Sequence, residues 1–281
     1  MKDIINPTFI VGGAPKAGTT SMYYYLDQHP QICMSARKET DAFTGENFHG
    51  LEWLSENYYR HYSGERAIGE ASSSILQDSR SVERIRDALP NVGLIFILRD
   101  PADRLHSHFR FLQSKQVLDS STSFSHFIRS ESARRDILVD LGRYHDHLTR
   151  FTDYFDRGQM LILLFGELTS DSPDIMKRVY RFVGVDPSFQ PDFDIHNPTR
   201  TPRYDGLHRF LVRVWEGVRG HLDVYLRNQL RPLRRRIKGW VTEEADRRSM
   251  SSEDRTYLRQ LYREPNRRLE QWLGRDLSHW T

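Results

Sequence analysis

Short continuous runs of apolar residues alternate along the chain with stretches whose apolar residues recur every three or four positions, a pattern that predicts strands separated by helices. The first run, Phe9 to Val11, ends in Gly12-Gly13, and after a turn the stretch from Thr19 puts Met22, Tyr25 and Leu26 on one helical face. Ala67 to Ala71 reads as a short strand, followed by a helix through Val82, Ile85 and Leu89 that Pro90-Asn91 stops. Val92 to Leu98 is the clearest strand, without strict alternation, as expected where both faces are covered. Asp100 is placed to cap a helix that starts at Pro101 and carries Leu105, Phe109 and Leu112.

Ser114 to Ser125 is polar and predicts a surface loop; a helix through Tyr144, Leu148, Phe151 and Phe155 and a second buried run, Met160 to Phe165, follow. Such alternation implies right-handed crossovers and a mostly parallel sheet flanked by helices, a three-layer α/β fold. Pro187 to Tyr204 is irregular, and beyond it the pattern is helical, with no further strand expected. The last helix opens at Ser251 or Ser252 and repeats Leu258, Leu261, Tyr262, Leu269 and Leu273 on one face.

Composition narrows the classes. A chain of 281 residues, 38% hydrophobic and 28% charged, is long enough for a full core and is neither collagen-like, disordered nor disulfide-stapled. One domain over 1–281 is expected, with 205–281 as its mainly helical C-terminal part. The 41 basic and 38 acidic residues leave a net charge of +3, too little to point to nucleic acid. Cys33 is the single cysteine, so neither a disulfide nor a cysteine metal cluster is available. With no run of about 18 apolar residues and no visible targeting segment, a soluble cytoplasmic protein is expected.

The chemistry concentrates in Gly13-Ala14-Pro15-Lys16-Ala17-Gly18-Thr19-Thr20. Between a strand and a helix, such a loop offers backbone N–H groups and a helix dipole to a phosphate. In a nucleotide triphosphatase loop a lysine would follow the second glycine; here Lys16 lies two positions before Gly18, able to reach back over a bound phosphate. A glycine turn with a solvent-facing lysine is the bland alternative.

The segment FIVGGAPKAGTTSMYYYLDQHPQI resembles the 5′-phosphosulfate loop of sulfotransferases that use 3′-phosphoadenosine 5′-phosphosulfate (PAPS), most of all the carbohydrate (heparan-type) sulfotransferases and their bacterial relatives. IFILRDPADRLHSHF is similar to that family's 3′-phosphate motif, carried here by Arg99 and Ser107. Arg37 to Phe43 resembles the segment whose glutamate is the family's base, which falls on Glu39; Gly69 to Ser74 resembles a segment near the acceptor, and LGRDLSHW resembles a terminal signature. Asp41, Ala42, Ser73 and Ile75 depart from the family pattern, all on the acceptor side.

The resemblance implies a P-loop-like fold and sulfuryl transfer from PAPS to a hydroxyl, in a carbohydrate or glycolipid, releasing adenosine 3′,5′-bisphosphate without a metal. It assigns catalysis to Lys16 and Glu39. Donor binding falls on Ala14, Pro15, Lys16, Ala17, Gly18, Thr19, Thr20, Arg99 and Ser107, with Arg236, Lys238 and Gly239 as a loop over the 3′-phosphate. Acceptor binding falls on Lys38, Asp41, Glu70 and Ser72. A solvated face remains the alternative for the basic run from Arg227 to Lys238. His106 and His108 flank Ser107 on different faces of the helix and have no metal-ligand companions. Polyketide, peptide or small-molecule acceptors, an inactive binding or assembly module, and a nucleotide kinase stay as rivals; peripheral contact with glycolipid and the oligomeric state stay open.

Overall fold

The computed structural model describes residues 4–45, 48–119, 121–193, 200–202, 242–244 and 250–281. The chain forms two compact units, Met1–Asp194 with Met250–Thr281, and Ile195–Ser249.

In the larger unit five strands form one parallel sheet: β1 (Phe9–Gly13), β2 (Ile32–Met34), β3 (Ala67–Ala71), β4 (Gly93–Leu98) and β5 (Met160–Leu164), in the spatial order β2-β3-β1-β4-β5. Helices α1 (Thr19–Leu26), α2 (Gly50–Tyr58), α3 (Ser81–Ala88), α4 (Pro101–Ser114), α5 (Phe124–Arg129), α6 (Ala133–Asp140), α7 (Tyr144–Thr152), α8 (Phe165–Ser170), α9 (Ser172–Val183) and α10 (Ser252–Leu273) flank it, giving the expected three-layer α/β architecture with a helical C-terminal region. β1 and β3 are buried along their whole length, and all of β4 after Gly93 is buried, which is why these runs are continuously apolar rather than alternating. The sheet packs so closely that a Cβ on Gly12 would lie 2.7 Å from the Phe96 ring.

The chain runs from β1 outward to β2, back to β3, and only then crosses to β4 on the other side of β1. The order therefore reverses between β1 and β4, and the crevice beyond their carboxyl ends is where open parallel sheets bind ligands. The loops that leave these two strands carry Lys16 and Arg99.

Local signals fix the helix ends. The Asp100 carboxylate accepts from the amides of Ala102 and Asp103, and Pro101 occupies the first turn of α4, as the sequence predicts. Ser251 caps α10 and Gly274, with φ of 63°, ends it. Ala102, Leu105 and Phe109 of α4 meet Phe127, Ile128, Leu138 and Val139 of α5 and α6 and Leu258 and Tyr262 of α10 in one core cluster.

In the smaller unit β6 (Arg200–Pro202) and β7 (Thr242–Glu244) pair antiparallel, with Arg200 opposite Glu244. This corrects the expectation that no strand follows Pro187: a long-range pairing of two three-residue polar segments leaves no apolar alternation to read. Among the described residues no helix is long and apolar enough to cross a membrane.

Candidate active site

The loop after β1 is held rigidly from both sides. The Ala14 amide donates to Ile97 O of β4 over 2.8 Å, the Ala17 amide donates to Ala14 O over 3.2 Å, and the Leu76 amide donates to Gly12 O over 2.8 Å. The amides of Ala14 and Ala17 thus bond inside the fold, and both residues are fully buried. Gly18 stands at the N-cap of α1 with φ of 92°, and no side chain caps that helix end. The amides of Thr19 and Thr20 belong to the first turn of α1, where backbone N–H groups have no partner within the helix and the helix dipole is positive. A side chain at Gly18 would meet Phe165 at 2.9 Å as well as strain the backbone.

Lys16 has a positive φ of 68°, a sparsely populated conformation for a residue with a side chain, and its ammonium lies 4.2 Å from the centre of the Phe111 ring. Burial lowers its pKa to about 8, helped by the nearby charges of Arg99, Lys38 and Lys115. Arg99, at the end of β4, donates to the carbonyl oxygen of Lys16 over 3.2 Å and stacks on Phe165, 4.8 Å from the ring centre. Burial also pushes the Arg99 guanidinium below its ordinary value. Ser107 is half-buried on α4, two turns beyond Arg99.

Beside Arg99 opens a cleft of about 790 Å³ at the carboxyl ends of β4 and β5, walled by Phe165 and Glu167 of α8, by Arg255 and Arg259 of α10, and by Arg275 and Trp280 of the C-terminal segment. Arg255 pairs with Asp103 at 2.8 Å and Arg275 pairs with Glu167. Sequence reasoning found the terminal signature but not Phe111, Phe165, Arg255 or Arg259, because nothing near them in the chain marks the approach of Phe111 to Lys16 or of the other three to Arg99. Arg236, Lys238 and Gly239, with the rest of the basic run, lie outside the described residues.

The segment after β2 lies at the carboxyl end of β3, where the Glu39 amide donates to Ala71 O over 2.8 Å. Glu39 and Asp41 both have positive φ, 58° and 54°, so the chain makes a tight turn in which Thr40 points inward between them. Glu39 receives the amide of Ser73 on Oε2 at 2.8 Å and the Ser73 hydroxyl on Oε1 at 3.0 Å, and Lys38 pairs with Oε1. Asp41 Oδ1 accepts from Ser74 Oγ over 2.9 Å. Both carboxylates therefore lean on the Ser73–Ser74 stretch, and Ser73 binds Glu39 at the position where the family resemblance expects proline.

Glu70 and Ser72, expected to line the acceptor site, are instead shut away from solvent, 0% and 1% exposed. They act from beneath the turn: Glu70 Oε1 accepts from Thr40 Oγ1 and from Ser72 Oγ, each at 2.6 Å. Tyr59 is likewise buried, its hydroxyl donating to Gly69 O over 2.9 Å. His108 is half-buried, and loss of solvent together with the nearby charges of Arg104 and Lys16 lowers its pKa to about 4 and keeps it neutral. Among the described residues no group of three His, Cys, Asp or Glu side chains could hold a metal ion.

The sulfotransferase domain family model matches residues 6–197. The membrane-associated sulfotransferase kil1 of Dictyostelium discoideum is 33% identical over 146 residues, 50% of this chain and 30% of that protein. The bifunctional heparan sulfate N-deacetylase/N-sulfotransferase 4 of Mus musculus is 27% identical over 98% of this chain and 31% of its own length. The chain thus spans about a third of the length of these curated relatives. Among solved structures, a sulfotransferase from Alicyclobacillus acidocaldarius shares the fold with a TM-score of 0.71 and 24% identity, over 99% of both chains. With the family model matching over most of its length, the chain belongs to the sulfotransferase domain family.

Proposed function

We propose that the protein transfers a sulfuryl group from PAPS to a hydroxyl of a carbohydrate or glycolipid and releases adenosine 3′,5′-bisphosphate. One observation carries this reading: Lys38 pairs with Glu39 and also lies near enough to Lys16 to help lower its pKa, so the candidate base and the candidate leaving-group cation occupy one patch.

The residues fit the donor. The amides of Thr19 and Thr20 with the Lys16 ammonium suit the 5′-phosphate, and Arg99 with Ser107 suits the 3′-phosphate. The cleft walled by Phe165 and the α10 arginines has the volume of a nucleotide-sized site.

Glu39 Oε1 already takes Lys38 and the Ser73 hydroxyl, whereas Oε2 takes only the Ser73 amide. A carboxylate oxygen has two lone-pair directions, so Oε2 keeps one for the acceptor's proton. As that proton moves to Oε2, the acceptor oxygen bonds to sulfur, the bond from sulfur to the 5′-phosphate oxygen breaks, and Lys16 meets the charge left on that oxygen. At neutral pH a lysine with a pKa of about 8 is mostly protonated, as this role requires.

The carbohydrate acceptor rests on the relatives whose names specify heparan sulfate and on the match between Glu39 and the base of such enzymes. A panel of desulfated heparan oligosaccharides, glycolipids and phenolic alcohols, each incubated with labelled PAPS, tests it. Label on sugar hydroxyls supports the reading; label confined to sugar amino groups replaces the hydroxyl with an amine acceptor, and label entering only the phenols replaces the sugar with the small-molecule alternative.

A further inference from the structure

Glu70 is a fully buried carboxyl on the third strand of a parallel sheet, and its Oε2 has no hydrogen-bond partner. Such a group is costly in a core and is not needed for sheet packing, where an apolar side chain would serve. Its other oxygen is committed to two hydroxyls, and each of these passes the interaction on. Ser72 Oγ donates to Glu70 and accepts from the Asp41 amide over 3.0 Å. Thr40 Oγ1 donates to Glu70 and accepts from the Ala42 amide over 3.3 Å. A hydroxyl has a single proton, so an acceptor that takes it turns the lone pairs toward the amides. The two amides lie in the turn in which Glu39 and Asp41 hold left-handed backbones, a conformation that persists only where its surroundings over-determine it.

We infer that Glu70 is a positioning residue: through Thr40 and Ser72 it holds the Glu39–Asp41 turn and so aims the Glu39 carboxylate at the acceptor hydroxyl. This rests on the proposed role of Glu39. The departures from the family pattern at Asp41, Ala42 and Ser73 surround this relay, so the device lies where the acceptor site differs. Burial raises the Glu70 pKa to about 7, against the lowering by the Ser72 and Thr40 hydroxyls. The charged or titratable groups that face it are Lys38, Glu39 and the Tyr59 phenol.

The test compares Glu70→Met, which removes the acceptor oxygen, with Glu70→Gln, which keeps one. Amide hydrogen exchange at Asp41 and Ala42 reads the turn without any acceptor. Transfer is read from labelled PAPS to a desulfated heparan oligosaccharide, beside calorimetry with adenosine 3′,5′-bisphosphate and a thermal melt. Glu70→Met is expected to speed exchange at both amides and to lower kcat by about 10-fold to 100-fold with donor affinity within about twofold. Glu70→Gln is expected to restore both readouts toward wild type. Unchanged exchange in Glu70→Met overturns the inference, as does faster exchange with unchanged transfer while Glu39→Gln is inactive. Transfer retained in Glu39→Gln overturns instead the role of Glu39, and with it the purpose assigned to the relay. Should Glu70→Met fail to fold, the Thr40→Val and Ser72→Ala variants remove one arm each, and transfer at the wild-type rate in both overturns the inference.

Discussion

The Arg99 guanidinium donates to the backbone carbonyl of Lys16 over 3.2 Å, tying the end of β4 to the loop that leaves β1. The residue proposed for the 3′-phosphate thus also braces the residue proposed for the 5′ leaving oxygen. Arg99→Ala is expected to weaken both adenosine 3′,5′-bisphosphate and adenosine 5′-phosphosulfate, the former more because it also loses the contact to its 3′-phosphate, whereas Ser107→Ala weakens only the former. Calorimetry with both ligands checks this, and an effect of Arg99→Ala confined to adenosine 3′,5′-bisphosphate would show that the brace is dispensable.

Lys16 stabilises charge that appears only as the donor bond breaks, so its loss falls on the rate rather than on binding. Lys16→Ala is expected to lower single-turnover transfer by roughly 10²-fold or more while changing adenosine 3′,5′-bisphosphate affinity less. Because the ammonium loses its proton with a pKa of about 8, wild-type transfer declines as pH rises through that value. A rate that keeps rising to pH 9 in the wild type would remove the lysine cation from the rate-limiting step.

Gly18 combines a left-handed backbone with a wall of Phe165 at 2.9 Å from its missing Cβ. Gly18→Ala is expected to cost about 1 to 3 kcal/mol in strain or displaced packing. Since Phe165 is also the surface under Arg99, donor affinity should fall along with the melting temperature. A melt and a donor titration on one preparation measure both; wild-type values in each would mean that the loop relaxes freely.

Burial raises the Glu70 carboxyl from 4.5 to about 7, so the folded protein holds a proton that the unfolded chain has released between those values. More protons bound in the folded state means that stability falls as pH rises through this window. Melting temperatures across pH 4.5 to 7.5 should therefore decline more steeply in the wild type than in Glu70→Gln. Parallel curves would show that Glu70 does not titrate in this range.

The sheet could be read from the sequence where burial on both faces writes itself as an unbroken apolar run, as in β1, β4 and β5. β2 escapes because three residues, Ile32-Cys33-Met34, are too few to show a pattern. α5 and α6 follow the caps Ser123 and Ser132, a signal present in the sequence beside apolar faces only six and eight residues long. The glycine loop and Arg99 were legible because their signals are local, a glycine turn between strand and helix and an arginine at a strand end. The turn at Glu39 was legible as a motif but not as a shape: positive φ at Glu39 and Asp41 depends on Glu70 and Ser72 lying beneath, some 30 residues away in the chain. Burial of Glu70, too, is a property of the sheet, and a polar GEASS sequence suggests exposure instead.

The most direct measurement is single-turnover incubation of wild type and Lys16→Ala with sulfur-labelled PAPS and the desulfated heparan oligosaccharides, following adenosine 3′,5′-bisphosphate and labelled sugar together. Sulfuryl transfer from PAPS predicts that both products appear in equal amounts with the wild type and fall together by roughly 10²-fold in Lys16→Ala. Wild-type protein that binds neither PAPS nor adenosine 3′,5′-bisphosphate by calorimetry, and yields neither product with any acceptor of the panel, would contradict it.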